Sequence, residues 1–176
     1  MSSAGVSIII TCEEQQQELM RLLPEVLSMP YDSEYEVIVV DKKHDKDMAE
    51  WLKEMEAHYP HLCHTFCSST ARGIDVHRLA LTLGAKASAY EWLVILSAAT
   101  QLPSPDWLHC LTSNCAEGID VVEGKTRQKH RWNLFRSIFR RTYSVFRPTS
   151  SILLCRRCIV LQGQVVKLSN CKIVKL

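Results

Sequence analysis

Two short runs of mostly β-branched residues decide the fold class: Val6-Ser-Ile-Ile-Ile-Thr11 and Tyr35-Glu-Val-Ile-Val-Val40. Runs of this length and composition are typical of strands that are buried on both faces. Residues 13–29 lie between them and have helical periodicity, because apolar side chains recur three or four residues apart at Leu19, Leu22, Leu23, Val26 and Leu27. The chain therefore begins as strand, helix, strand.

The same alternation continues to about residue 122. Helices are predicted at 45–59, at 75–89 and from 103–107 to about 115, and strands at 62–67, 92–96 and 119–122. Pro24 lies in the first predicted helix and is expected to end or kink it. Such alternation predicts an α/β fold with a mostly parallel sheet and helices on both faces. The carboxyl ends of the parallel strands then share one edge, where ligands normally bind.

Charge is distributed unevenly along the 176 residues. Residues 1–123 contain all 19 acidic residues and 8 of the 21 lysines and arginines, whereas 124–176 contain the other 13 and no acidic residue. Any mechanism that needs an Asp or Glu from the last third of the chain is therefore excluded. We divide the chain here into an α/β half, 1–123, and a basic extension of the same domain, 124–176.

Neither a membrane-spanning helix nor a signal peptide is expected. No apolar run approaches about 18 residues, and the amino terminus lacks a basic stretch followed by an apolar run and a cleavage site. We therefore expect a cytoplasmic protein, and in a reducing compartment the eight cysteines are expected to be free thiols.

Several segments have an order and spacing that match a known family over about residues 5–115. They are Val6–Ile10, Tyr35–Asp41, Ala71–Gly73 with Arg78 and Gly84, and Glu91–Leu96 leading to Pro103–Leu108. Together they resemble a family 2 glycosyltransferase of the GT-A fold. The resemblance implies transfer of a sugar from a nucleoside diphosphate sugar to a glycan or a lipid-linked acceptor. Members of the family are usually longer, which leaves a truncated form as an open alternative.

The resemblance also implies a nucleotide-sugar site at the strand ends. Thr11 would border the base, Asp41 would bind the base or ribose, and Ser97 would follow the fourth strand at the same edge. Arg72 and Arg78 would contact the nucleotide or its phosphates, since a planar guanidinium can bind two oxygens at once. The residues alone leave alternatives open: Asp41 as a solvated turn residue, and both arginines in surface ion pairs.

The metal-binding motif of the family is missing from this chain. Family members carry an Asp-x-Asp motif after the fourth strand, which holds a Mn or Mg ion that neutralises the leaving nucleoside diphosphate. Here the corresponding residues are Ser97-Ala98-Ala99-Thr100. A divalent cation is expected for the family, but its carboxylate ligands are missing, and no metal ligand is predicted.

The catalytic base is the second feature in which this chain differs from the family. Family members take a carboxylate from the acceptor half to remove the proton of the acceptor hydroxyl. Glu123 is our candidate, with alternatives at Asp106, Glu117, Asp120, His109 and His130. Two functions therefore compete, an active glycosyltransferase and a non-catalytic binding or regulatory relative.

The basic extension predicts an amphipathic helix, because Trp132, Phe135, Phe139, Tyr143 and Phe146 recur every three or four residues among arginines. The helix could pack on the domain's own core or on a second copy in a homodimer. It could also lie on an anionic membrane surface, making the chain a peripheral membrane protein. Nucleic-acid binding is not favoured, since no recognisable motif supports it. Short strands are expected at 152–154, at 159–161 and in the tail. Cys155 and Cys158 are interpreted as incidental thiols, with part of a structural zinc site or a redox pair as the alternatives.

Overall fold

The computed structural model describes residues 4–43, 45–67, 75–125, 151–161 and 173–175. Within these residues the strands are β1 Val6–Cys12, β2 Tyr35–Asp41, β3 Leu62–Phe66, β4 Trp92–Ser97, β5 Val121–Lys125, β6 Ser151–Arg156 and β7 Ile173–Lys175. The helices are α1 Gln16–Leu27, α2 Lys46–His58, α3 Val76–Ala87, α4 Trp107–Thr112 and α5 Arg157–Leu161.

All seven strands form one sheet in the order β3-β2-β1-β4-β6-β5-β7. The first four neighbours, β3 to β4, are parallel. Strand β6 runs antiparallel to both β4 and β5, while β7 pairs in parallel with β5 at the sheet edge. The predicted mostly parallel α/β sheet is therefore confirmed, and strands on both sides of residue 123 share it.

Helices cover both faces of the sheet, because successive side chains of a strand point to opposite faces. Ile8 and Ile10 pack in a core with α1, α2 and α4, whereas Ile9 packs in a second core with α3 and α5. The residues of β1 from Val6 to Cys12 are all buried, so the polar end of this strand is enclosed by its neighbours.

Pro24 was expected to end or kink the first helix. It does not end α1, which continues to Leu27 and buries Val26 beyond the proline. One predicted strand is wrong. Residues 159–161 form part of α5 rather than a strand. The chain turns at Arg157, whose backbone N–H donates to Glu91 O at 2.7 Å and whose guanidinium donates to Ser88 O, and Val160 then packs in the core with α3.

The predicted aromatic helix falls on residues 126–150, outside the described residues, and stays a prediction. None of the described helices is both long enough and apolar enough to span a membrane.

Candidate functional site

The carboxyl ends of β1, β2 and β4 bring three of the predicted site residues together. In the sheet register Cys12 lies beside Asp41, and Thr11 lies beside Ser97. Because neighbouring strands are separated by about 4.8 Å, Asp41 and Ser97 lie on either side of β1 at a backbone distance of about 10 Å. The chain leaves β1 toward β2 on one side and returns at β4 on the other, so this edge contains the topological switch point where ligands bind in such sheets.

The Asp41 carboxylate holds the turn that leads into α2. One oxygen accepts a hydrogen bond from the backbone N–H of Lys43 at 2.9 Å, and the other accepts from that of Asp45 at 2.8 Å. The side chain is buried rather than solvated. Each carboxylate oxygen retains a free acceptor position. Asp41 can therefore accept a hydrogen bond from a ligand while it keeps both hydrogen bonds within the turn.

Residues 97–100 form a closed turn directly after β4. The N–H of Thr100 donates to Ser97 O at 2.9 Å, and the N–H of Ser97 donates back to Thr100 Oγ1 at 3.0 Å. Ser97 Oγ lies 3.5 Å from Gln15 Oε1, across the switch point. The polar groups of this turn therefore bind one another and the start of α1.

This turn does not fit a divalent metal. Mg²⁺ and similar cations prefer charged carboxylate oxygens, and the turn offers neutral hydroxyls that already serve the backbone. In the part of the chain that the structure describes, no group of three or more His, Cys, Asp or Glu side chains could hold a metal ion.

Two ion pairs join the loops that follow β1 and β2. Lys42 Nζ lies 2.9 Å from Glu13 Oε2, and the side chain of Lys42 is only 12% exposed while that of Glu13 is 57% exposed. Lys43 pairs with Glu14, and both of these side chains are largely exposed. The backbone N–H of Lys42 also donates to Cys12 O at 2.9 Å, which fixes Lys42 beside the end of β1.

The charge of Lys42 acts on the groups around it. Its hydrogen bond and its charge lower the pKa of Glu13. Burial lowers the pKa of His77, and the charge of Lys42 lowers it further. The positive charge of Lys42 therefore acts on Glu13 in the loop after β1 and on His77 in the first turn of α3.

Sequence analysis did not anticipate the ion pair between Lys42 and Glu13 at this edge. A signal was available, because Glu13-Glu14 follow the first predicted strand and Lys42-Lys43 follow the second. Loops after adjacent parallel strands lie at the same edge, so these complementary charges were placed to meet.

The two predicted arginines are placed differently. Arg78 lies in the first turn of α3, where its backbone N–H donates to the capping carboxylate of Asp75 at 3.4 Å. Its side chain is exposed and forms no ion pair with any described residue. The surface ion pair considered for Arg78 is therefore absent from this part of the chain. Arg72 lies outside the described residues.

Glu123 lies to the side of the strand ends. It is half-buried in β5 and pairs with Leu153 of β6, which in turn pairs with Ile95 of β4. Glu123 is thus level with Ile95, two positions before Ser97. Two strand spacings, about 10 Å, separate Glu123 from β4. Its role as a base stays a prediction.

A groove of about 200 Å³ lies beside α4 at this side of the molecule. Its walls come from α4 and the loop before it, and Gly124 and Ile152 also line it. Trp107 is buried in this lining, and its indole Nε1 has no hydrogen-bond partner among the described residues.

Solved structures with a similar fold include three proteins of low sequence identity. A mannosyltransferase from Pyrobaculum calidifontis, solved with GDP-Man and Mn²⁺, is 19% identical with a TM-score of 0.57, covering 69% of this chain and 35% of its own. TarS from S. aureus is 16% identical with a TM-score of 0.65, covering 91% and 49%; it was also solved with UDP-GlcNAc. A 4-diphosphocytidyl-2C-methyl-D-erythritol synthase from Anaerococcus prevotii is 13% identical with a TM-score of 0.63, covering 98% and 86%.

These likenesses show a shared fold. It is the GT-A fold of the two glycosyltransferases, the mannosyltransferase and TarS. This chain spans about a third of the mannosyltransferase and about half of TarS. No curated protein sequence matches the chain. The profile of the family described as Glycosyltransferase like family 2 matches residues 4–169. Because this match covers nearly the whole chain, the protein belongs to glycosyltransferase family 2.

Proposed function

We propose that this protein binds a nucleotide-sugar at the carboxyl ends of β1, β2 and β4 and transfers the sugar to a glycan or lipid-linked acceptor. The observation that carries the proposal is the register that aligns Thr11, Asp41 and Ser97 at one edge of the sheet. The ligands named for the similar structures, GDP-Man and UDP-GlcNAc, support a nucleoside diphosphate sugar as the donor class.

Each residue has a specific role in this proposal. Thr11 and Asp41 contact the base or ribose, Ser97 borders the donor at the switch point, and Arg72 and Arg78 bind phosphate oxygens. In the transfer, an acceptor hydroxyl attacks the anomeric carbon, and the bond from that carbon to the diphosphate breaks. Glu123 takes the hydroxyl proton, and the nucleoside diphosphate leaves with the electron pair.

Calorimetric titration tests the donor site directly. We expect UDP, GDP, UDP-GlcNAc or GDP-Man to bind with a dissociation constant in the micromolar to millimolar range, and Arg78→Ala to weaken that binding. Lys86→Ala is the matched control, because Lys86 carries the same charge in the last turn of the same helix. If none of these nucleotides binds at millimolar concentration, the proposal is wrong.

A second candidate function is binding without catalysis, as a regulatory relative of the active enzymes. The closed Ser97–Thr100 turn favours it, because the turn leaves no charged ligand for a metal that would neutralise the leaving group. Release of nucleoside diphosphate from a bound donor, measured with and without sugar acceptors, separates the two. Binding without any release supports the regulatory relative, and acceptor-dependent release supports the enzyme.

Association with a membrane or with a second copy is proposed from the basic segment at 126–150. Its arginines and aromatic side chains suit an anionic lipid surface. Co-sedimentation with anionic and neutral vesicles at varied salt tests this, since electrostatic binding weakens as ionic strength rises. Sedimentation velocity at several protein concentrations tests the homodimer.

A further inference from the structure

We infer that nucleotide binding at this edge needs no divalent cation, because Lys42 supplies the positive charge that binds a phosphate group of the nucleotide. This inference rests on the proposed donor site. It assigns to Lys42 a role that the usual acidic motif and its metal would otherwise fill.

The turn after β4 offers no charged ligand to a divalent cation. Ser97 and Thr100 present hydroxyl groups, and Ala98 and Ala99 present no polar side-chain atoms. Ser97 Oγ also accepts from the N–H of Ala99 at 3.4 Å, so the hydroxyls are committed to the turn. A cation at this position would have neutral ligands only, which is a poor match for Mg²⁺ or Mn²⁺.

Lys42 brings a positive charge to the same edge of the sheet. It directly follows β2, and its N–H is bonded to Cys12 O, so the residue is anchored at the ends of two adjacent strands. Ser97 lies on the other side of β1, at about two strand spacings, or about 10 Å. A nucleoside diphosphate bound along this edge can span that distance and reach the ammonium.

The ammonium of Lys42 is available to bind a phosphate group. A lysine has three N–H donors, and Glu13 is the hydrogen-bond partner that the described residues provide. The Lys42 side chain is almost buried, whereas Glu13 is mostly exposed and can turn toward solvent. A phosphate group can therefore replace the Glu13 carboxylate on the ammonium of a residue whose backbone is anchored and whose side chain is largely enclosed.

The neighbouring pair is the natural comparison. Lys43 and Glu14 have the same charges on the same two loops, but their side chains are 52% and 72% exposed. An exposed ammonium on a flexible stem is well hydrated and loosely positioned. We therefore expect Lys43 to contribute little to nucleotide binding.

The experiment is calorimetric titration of the full chain with UDP and GDP, in excess EDTA and again with MnCl₂. We expect the wild type to bind equally well in both conditions. Lys42→Met should weaken binding about tenfold or more, the usual effect of losing a hydrogen bond to a charged group. Glu13→Gln should tighten binding several-fold, because it removes the competing carboxylate. Lys43→Met and Glu14→Gln, the matched controls, should change it less than about twofold.

The opposite signs at Lys42 and Glu13 identify a ligand contact. A purely structural ion pair predicts that both variants change binding in the same direction, and that result would overturn the inference. Binding that requires Mn²⁺ would also overturn it while leaving the proposed donor site intact. If the wild type binds none of UDP, GDP, UDP-GlcNAc and GDP-Man, the proposed function itself has failed. Should Lys42→Met not fold, Glu13→Gln decides alone, since weaker or unchanged binding in that variant contradicts the inference.

Discussion

Gly84 of α3 lies so close to Ile9 of β1 that a Cβ atom on the glycine would be 2.7 Å from Ile9 Cγ2. The contact sets the distance between α3 and the centre of the sheet. It therefore also fixes the position of the first turn of α3, which contains Arg78.

The first prediction is that Gly84→Ala destabilises the protein by about 1–3 kcal/mol, the usual cost of overpacking a tight core. Alanine is intrinsically better than glycine in a helix by about 1 kcal/mol, so a loss of stability can only come from the contact with Ile9. Urea denaturation measures the change. In an Ile9→Ala background the same substitution should be neutral or stabilising, and equal destabilisation in both backgrounds would contradict the packing explanation.

The second prediction concerns Thr100. Thr100→Val removes the oxygen that accepts the buried N–H of Ser97, and an unsatisfied buried donor costs about 1–3 kcal/mol. Thr100→Ser keeps the hydroxyl and should cost less than about 1 kcal/mol. Thermal and urea unfolding of the two variants provide the measurement. Equal stability of the valine and serine variants would show that the turn does not depend on this hydrogen bond.

Strands β1, β2 and β4 could be predicted because burial on both faces requires the continuous apolar runs that the sequence displays. Their polar ends could be placed at one edge for the same reason. Helix α5, Arg157–Leu161, could not be predicted, because Ile159 and Val160 favour a strand locally. Packing of Val160 beside α3 decides the outcome, and that contact is distant in sequence.

At the candidate site, the residue types could be predicted but not their hydrogen bonds. Asp41 was expected either to bind a ligand or to be a solvated turn residue. It is buried, so the solvated alternative is wrong, and it accepts two backbone N–H groups of its own turn. Its contact with a ligand stays a prediction. Those bonds depend on how the loop into α2 folds back, which residue patterns do not encode. The contact between Lys42 and Glu13 depends in the same way on which strands become neighbours.

The third prediction is a loss of stability in mild acid that depends on His77. Burial lowers the pKa of this histidine from its usual 6.5, and the charge of Lys42 lowers it further, while Asp75 and Glu13 oppose the shift. The unfolded chain therefore binds a proton at a higher pH than the folded chain does. Stability should fall as the pH drops below about 6.5, until the folded histidine is itself protonated.

Urea unfolding at pH 7.5 and pH 5.5 measures this effect. His77→Gln, which keeps a polar side chain without titrating in this range, should reduce the difference between the two stabilities. His58→Gln is the control, because His58 is exposed at the end of α2. An unchanged pH dependence in His77→Gln would assign the acid sensitivity to other groups.

The last prediction restores acidic groups to the turn after β4. Ser97→Asp with Ala99→Asp gives the Asp-x-Asp spacing at a position where the neutral side chains do not suit a metal, and carboxylates are the ligands that divalent cations prefer. We expect MnCl₂ to tighten UDP or GDP binding by at least tenfold in this double variant and to leave the wild type unchanged. MnCl₂ should also raise the melting temperature of the variant, since a ligand that binds only the folded state stabilises it. Ser97→Asn with Ala99→Asn has nearly the same shape without the charges and should respond much less. If MnCl₂ affects the two double variants equally, carboxylates at these two positions do not create a metal site in this turn.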